Sequence, residues 1–172
     1  MTRSHTWATA AVAVALLGLG ACTPTPTASG PPAPQPVQLL RVVDGDTVDN
    51  QIGEHQRRVR LLGIDTPERD ECGHDDATDH LDALLADAII TLSHDAAADQ
   101  EDQYGRLLGY LDADDHDVGL ILINEGLAAA WWPRTAAAPE RGPGYQLAQQ
   151  HAQDAGVGSW GHCDQVGRQR SD

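Results

Sequence analysis

The 172-residue chain has no lysine: all 11 basic residues are arginines, set against 26 acids for a formal net charge of −15. That balance excludes a protein that draws in a polyanion by its overall field, so any affinity for phosphate has to be local. Where positive charge remains it is a planar guanidinium fork, suited to carboxylate or phosphate oxygens. Cysteine is scarce, with three residues at Cys22, Cys72 and Cys163. The apolar run from Trp7 to Leu19 is too short to span a bilayer stably. At 41% hydrophobic, the rest of the chain suffices for one domain with a real core.

The opening "MTRSHTWATAAVAVALLGLGAC" has a charged start, an apolar stretch and small residues leading to a cysteine, the pattern of an export signal. Its ending "LGAC" resembles the lipobox of bacterial lipoproteins. That resemblance implies removal of residues 1–21 and lipidation of Cys22, leaving the protein exported, lipid-anchored on the outer face of the bacterial cytoplasmic membrane, and open to later shedding. An ordinary secretory signal is the alternative. Residues 22–36, rich in Pro and Thr, read as an extended tether, residues 37–163 as the domain, and residues 164–172 as a flexible tail. Without residues 1–21, ten arginines face 26 acids, a formal charge of −16. Export places Cys72 and Cys163 in an oxidising compartment, where they most simply pair, although free or metal-bound thiols are the other options. A two-cysteine site is incomplete for structural zinc. The pairing ties the chain's end to the segment that follows an acidic motif.

From Val37 the sequence turns to short apolar runs: "VQLLRVV", then Asp44-Gly45, "DTVDNQI", "GEH" and "RRVRLLGI". Asp-Gly between apolar runs signals a hairpin, so the three runs predict an antiparallel meander. In "HDDATDHLDALLADA", Leu81, Leu84, Leu85 and Ala88 recur at helical spacing behind N-terminal acids. "IITLSHD" and "YGRLLGYLDA" predict a fourth and a fifth strand, "DVGLILINEG" a short buried helix closed by Gly126, and Tyr145–Ala155 a last helix ended by Gly156. Five short strands with inserted helices fit a small closed barrel of the α+β, mainly β class.

The residues that call for explanation lie in "RVVDGDTVDNQIGEHQRRVRLLGIDTPERD", residues 41–70. Asp46 follows the predicted turn; Asp65 ends the third run ahead of Thr66-Pro67, whose proline stops a ladder. Adjacent strand ends can bring these carboxylates together as an incomplete oxygen shell, which suits a hard cation such as Ca²⁺ that keeps waters and accepts substrate oxygens. Glu68 is placed to hold or deprotonate such a water. Arg60, five residues before Asp65, would lie on the opposite face of a straight strand, so Gly63 has to supply a bulge or bend. Cation, guanidinium and carboxylate together are what attack on a phosphodiester needs. The plainer reading makes Asp44 and Asp46 turn formers and Arg60 a structural ion pair.

"VVDGDTV", "VRLLGIDTPE" and "DQYGRLLGYL" together resemble the signature stretches of the staphylococcal nuclease (thermonuclease) family, over roughly Gln38 to Trp160. The resemblance implies an OB-fold barrel with about three helices and calcium-dependent hydrolysis of DNA and RNA that expels the 5′-oxygen. It casts Asp46, Asp65 and the Thr66 carbonyl as Ca²⁺ ligands, Glu68 as the carboxylate that positions or deprotonates water, and Arg60 and Arg106 as phosphate-gripping arginines. Tyr104 matches an aromatic at the terminal phosphate of the nucleotide. Gln103 stands where the family often has lysine, and Trp131 and Trp132 fall near tyrosines that face the base, as a stacking surface or as wall residues. The acidity departs from the family's usual basic character; "RRVR", Arg57 to Arg60, is the expected local positive strip.

Two other functions fit the sequence less well: a non-catalytic nucleic-acid-binding OB-fold module, and an envelope interaction protein. The complete acid and arginine set favours the enzyme. A monomer is expected. "DADDHD", Asp112–Asp117, has a calcium loop's acid density without its glycine and distal glutamate, and reads as a solvated turn.

Overall fold

The computed structural model describes residues 32–168. The expected leader, Cys22 and most of the tether lie outside the described residues, as do residues 169–172. In chain order the elements are β1 (Gln35–Asp44), β2 (Thr47–Ile52), β3 (His55–Leu61), β4 (Ile64–Asp65), α1 (His74–Leu85), β5 (Ile90–Ser93), β6 (Leu107–Ala113), β7 (His116–Asp117), α2 (Val118–Asn124), β8 (Ala129–Ala130) and α3 (Gly142–Ala155), followed by a 3-10 turn at Gly158–Gly161.

The predicted meander forms: β1 pairs with β2 and β2 with β3, all antiparallel, with Thr47 opposite Arg60. β1 belongs to both sides of the barrel, since its first residues pair with β5 while its second half pairs with β2. Register shifts at Leu39/Arg41 and Val42/Asp44 supply the bend this requires. β5 pairs with β6, and a parallel pairing of β3 with β6, Val59 opposite Leu107, closes the ring. Five strands in the closed order β3-β2-β1-β5-β6 with three helices make an OB-fold barrel of the α+β class.

The barrel's inward residues, Val48, Val59, Leu61, Leu92 and Leu111, form one core with Leu81 and Leu85 of α1 and Leu122 and Ile123 of α2. Among the described residues no helix is long and apolar enough to cross a membrane. A disulfide joins Cys72, just before α1, to Cys163, across a sequence separation of 91 residues.

Several boundaries differ from the sequence expectation for local reasons. The third strand stops at Leu61 instead of running to Asp65, because Gly63 takes φ +84° and the Leu62 N–H turns to the carbonyl of Gly109. Ile64 and Asp65 then pair with β8 in a separate two-stranded sheet. The fifth strand starts at Leu107 instead of Tyr104, because the Asp102 carboxylate accepts the N–H groups of Tyr104 and Arg106 and rolls residues 102–106 into a loop. β1 takes up Gln35 and Pro36, two residues assigned to the tether, through its pairing with β5. α3 begins at Gly142 with Pro143 in its first turn. "DADDHD" is a two-residue hairpin in which Asp114 and Asp115 both have positive φ.

Of the tail expected from residue 164, the described part, residues 164–168, is packed: Val166 is fully buried and the backbone of Gly167 and Arg168 lies against Asp65. The domain therefore extends past Cys163 to at least Arg168. An apolar side chain that finds a pocket binds its neighbours to the fold, and a single valine in a polar stretch gives little warning of this.

Candidate active site

The β1–β2 turn delivers Asp46. Gly45 makes the turn possible through space: a Cβ there would lie 2.8 Å from the Ala77 Cβ and 2.8 Å from the Thr66 Oγ1, so the turn sits directly on α1 and on the segment after β4. Asp46 is buried and held from several sides. Its Oδ2 accepts from the Thr66 N–H at 3.0 Å and from the Thr66 hydroxyl at 3.2 Å, and its Oδ1 accepts from the Thr47 hydroxyl at 3.0 Å. Thr66, whose carbonyl is the expected cation ligand, also orients Asp46 with its N–H and hydroxyl.

Arg60 leaves the end of β3 and fills the inside of the bend that Gly63 creates. Its Nη1 donates to the carbonyls of Leu61 and Ile64, both at 2.9 Å, so the guanidinium takes up backbone acceptors that the broken strand leaves over. Its Nη2 lies 2.8 Å from the Asp46 Oδ2 and 2.7 Å from the Asp65 Oδ1. One nitrogen thus bridges the two carboxylates, which the sequence places 19 positions apart. The opposite-face problem of a straight strand is solved by ending the strand.

Burial pushes the Asp46 carboxyl up to about 6, against the pull of Arg60, and Asp44 and Asp65 add to the rise. The donor chemistry of Asp46 and Asp65, hard oxygens held from behind by hydroxyl and backbone donors, fits a hard divalent cation.

Asp46 borders a cavity of about 370 Å³ whose lining also includes Arg60, Thr66, Glu68, Gln103, Tyr104, Arg106, Trp131, Trp132 and Arg168; Asp65 lies behind it, joined to Asp46 through Arg60. Glu68 is exposed at its mouth, on the loop that runs to Cys72, and its N–H donates to the Glu71 carboxylate at 2.8 Å. Opposite, Asp102 organises the "DQYGR" loop: besides the two backbone N–H groups it takes the Arg106 Nε–H at 2.6 Å, which leaves that guanidinium at the cavity edge beside the exposed Tyr104 ring, 5.5 Å away. Gln103 is exposed on the same loop.

Two expectations change. Trp132 is buried, and its ring packs so closely on Gly142 that a Cβ there would lie 3.0 Å from it. A stacking surface at this place falls to Trp131, which is partly exposed. The "RRVR" stretch is no free positive strip: Arg57 pairs with Glu101, Arg58 with Asp49, and Arg60 with the two site carboxylates. Sequence reasoning also missed Asp102 and Arg168. Asp102 carried a usable signal, an acid four residues before an arginine and three before Gly105, the spacing of a carboxylate-nucleated loop. Arg168 had none, because its placement depends on Val166 and on the disulfide.

Comparison with known proteins points the same way. Residues 58–162 match the family described as "Staphylococcal nuclease homologue". An "Uncharacterized endonuclease" of Escherichia coli is 34% identical over 95 residues, covering 55% of this chain and 58% of that protein. The "SPbeta prophage-derived endonuclease YokF" of Bacillus subtilis (strain 168) is 38% identical over 98 residues, covering 54% and 33%. The "Thermonuclease" of Staphylococcus hyicus is 30% identical over 102 residues, covering 56% and 59%. The chain thus spans less than two thirds of the length of each of these relatives. With the match covering more than half of the chain, and with the barrel and the acid and arginine set in place, this protein belongs to the staphylococcal nuclease family.

Proposed function

We propose that the protein is a Ca²⁺-dependent nuclease that hydrolyses phosphodiester bonds of DNA and RNA. The observation that carries this reading is the convergence of Asp46, Arg60, Glu68 and Arg106 on one cavity, with Asp65 bonded to Arg60 at its edge. Asp46 and Asp65 would hold the cation, and its charge would offset that growing on the phosphoryl oxygens. Arg60 and Arg106 grip the phosphate, Glu68 takes a proton from the water, and that water forms the new bond to phosphorus as the bond to the 5′-oxygen breaks, leaving a 3′-phosphate. The relatives named as endonucleases and thermonuclease support phosphodiester cleavage.

The test is release of acid-soluble nucleotides from DNA and RNA. Calcium should stimulate it and EDTA abolish it, and Glu68→Ala should lower kcat by about 10²- to 10⁴-fold, the range of a lost general base. Nucleic-acid binding with no cleavage at any Ca²⁺ concentration would turn the reading to a non-catalytic OB-fold module; neither activity would leave the envelope interaction protein.

The proposal extends to location: residues 1–21 direct export and Cys22 carries the lipid, with the barrel held on a tether as a monomer. Labelling of cells with radioactive palmitate tests it, since Cys22→Ser should abolish incorporation and release the protein to the medium. Label retained by the variant would overturn the anchor.

A further inference from the structure

The segment after the disulfide has no part in the reading above, yet it ends in the cavity. Cys163 is fixed by its bond to Cys72 and by its N–H, which donates to the Ser159 carbonyl at 2.8 Å. Val166 is fully buried, and the Gln165 side chain donates to the Gly167 carbonyl at 2.6 Å. Gly167 has φ +55° and lies so close to the Asp65 carbonyl that a Cβ would come within 2.3 Å of that oxygen, a position only glycine can take. The Arg168 N–H then donates to the Asp65 Oδ2 at 2.7 Å, so the backbone of this residue is set against a site carboxylate. From there its guanidinium reaches over the Trp131 ring, 5.2 Å from the centroid, and its Nη2 donates to the Glu68 Oε1 at 3.2 Å.

The three arginines of the cavity differ in what they can still bind. Arg60 is 12% exposed, with both terminal nitrogens engaged by carbonyls and carboxylates. Arg106 is 30% exposed and spends its Nε on Asp102. Arg168 is 60% exposed; its partner Glu68 is 65% exposed, and its Nε stands 3.5 Å from Asp65. An ion pair this open is weak, and a phosphate competes with it readily. In a chain with no lysine and with Gln103 on the opposite rim, a guanidinium fixed by its backbone and solvent-exposed at its tip adds positive charge to this pocket.

We propose that Arg168 is a third phosphate-binding arginine, which takes a substrate phosphate next to the scissile one with Trp131 as its platform. The inference rests on the nuclease reading but is separable from it. The experiment compares wild type, Arg168→Ala and Arg168→Lys on a single-stranded DNA oligonucleotide with Ca²⁺ at several salt concentrations. Arg168→Ala should raise KM about five- to tenfold at low salt, as loss of one charge-assisted phosphate contact predicts, with kcat within about twofold. The ratio of variant to wild-type KM should shrink as salt rises, because a contact between exposed charges is screened. Arg168→Lys should recover part of the loss, since a point charge still reaches a phosphate. A lower kcat with KM unchanged would overturn the proposal in favour of a residue that positions Glu68. A higher kcat would overturn it in favour of a side chain that obstructs Glu68, and kinetics equal to wild type would remove any role in substrate binding. An inactive wild type would sink the nuclease reading itself.

Discussion

At the residue scale, the charged side chains of this domain act more on one another than on solvent, and Arg60 is the clearest case. It serves as backbone cap, carboxylate bridge and phosphate candidate at once. The sequence disclosed its identity and its neighbours but not this geometry, because a turn filled by a side chain leaves no periodic pattern. A second network lies away from the cavity: Asp95 accepts from the Tyr110 hydroxyl and from the N–H groups of Ala97 and Glu140. Burial alone would raise its carboxyl; the hydrogen bonds from Tyr110, Glu140 and Ala97, aided by Arg141, hold it below the usual carboxylate range. A carboxyl lowered in the folded state contributes stability above its unfolded value, near 4, and loses it as pH falls through the folded value. Asp95→Asn should therefore cost about 1–3 kcal/mol at neutral pH, and the gap in Tm between variant and wild type should narrow as pH drops below about 4. Thermal melts from pH 7 to pH 2 measure this; a gap that stays constant would refute it.

At the element scale, the meander, α1, α2 and most of α3 were legible from apolar spacing and from the glycines that end helices. The misses share a cause. Strand ends at Leu61 and Leu107 are set by a glycine with positive φ and by one aspartate that captures neighbouring N–H groups, both contests between side chain and ladder that hydrophobic pattern does not register. The β6–β7 hairpin belongs here as well. Its two-residue turn places Asp114 and Asp115 at φ +49° and +65°, the left-handed pair that strand twist favours and side chains resist. The Asp114 carboxylate accepts the Ile89 N–H at 3.0 Å, so Asp115 is the position to relieve. Asp115→Gly should stabilise the domain by about 0.5–1 kcal/mol, seen as a higher denaturant midpoint with an unchanged m-value. An unchanged or lower midpoint would mean that the turn is not strained.

At the scale of the whole molecule, an acidic protein with a proposed polyanionic substrate sets long-range repulsion against short-range grip. The arginines of β3 do not relieve this, since each is already paired with an acid. With a formal charge of −15, repulsion dominates at low ionic strength and fades as the Debye length shrinks to about 8 Å near physiological salt. Cleavage of long DNA should accordingly rise with the first additions of salt before it falls, whereas a monotonic fall from the lowest salt would show that net charge is irrelevant to encounter. The fold class, the acid pair and the loop arginine were legible at this scale because three short motifs carry them; the extension of the domain to Arg168 was not, because it depends on one valine and one covalent bond.

That bond joins two ends of one pocket: Cys72 closes the loop that bears Glu68, and Cys163 begins the run that delivers Arg168. Only an oxidant can install it. In a thiol-rich cytoplasm a freshly made copy would keep these two ends unlinked, so the pocket reaches its finished shape only in oxidising surroundings.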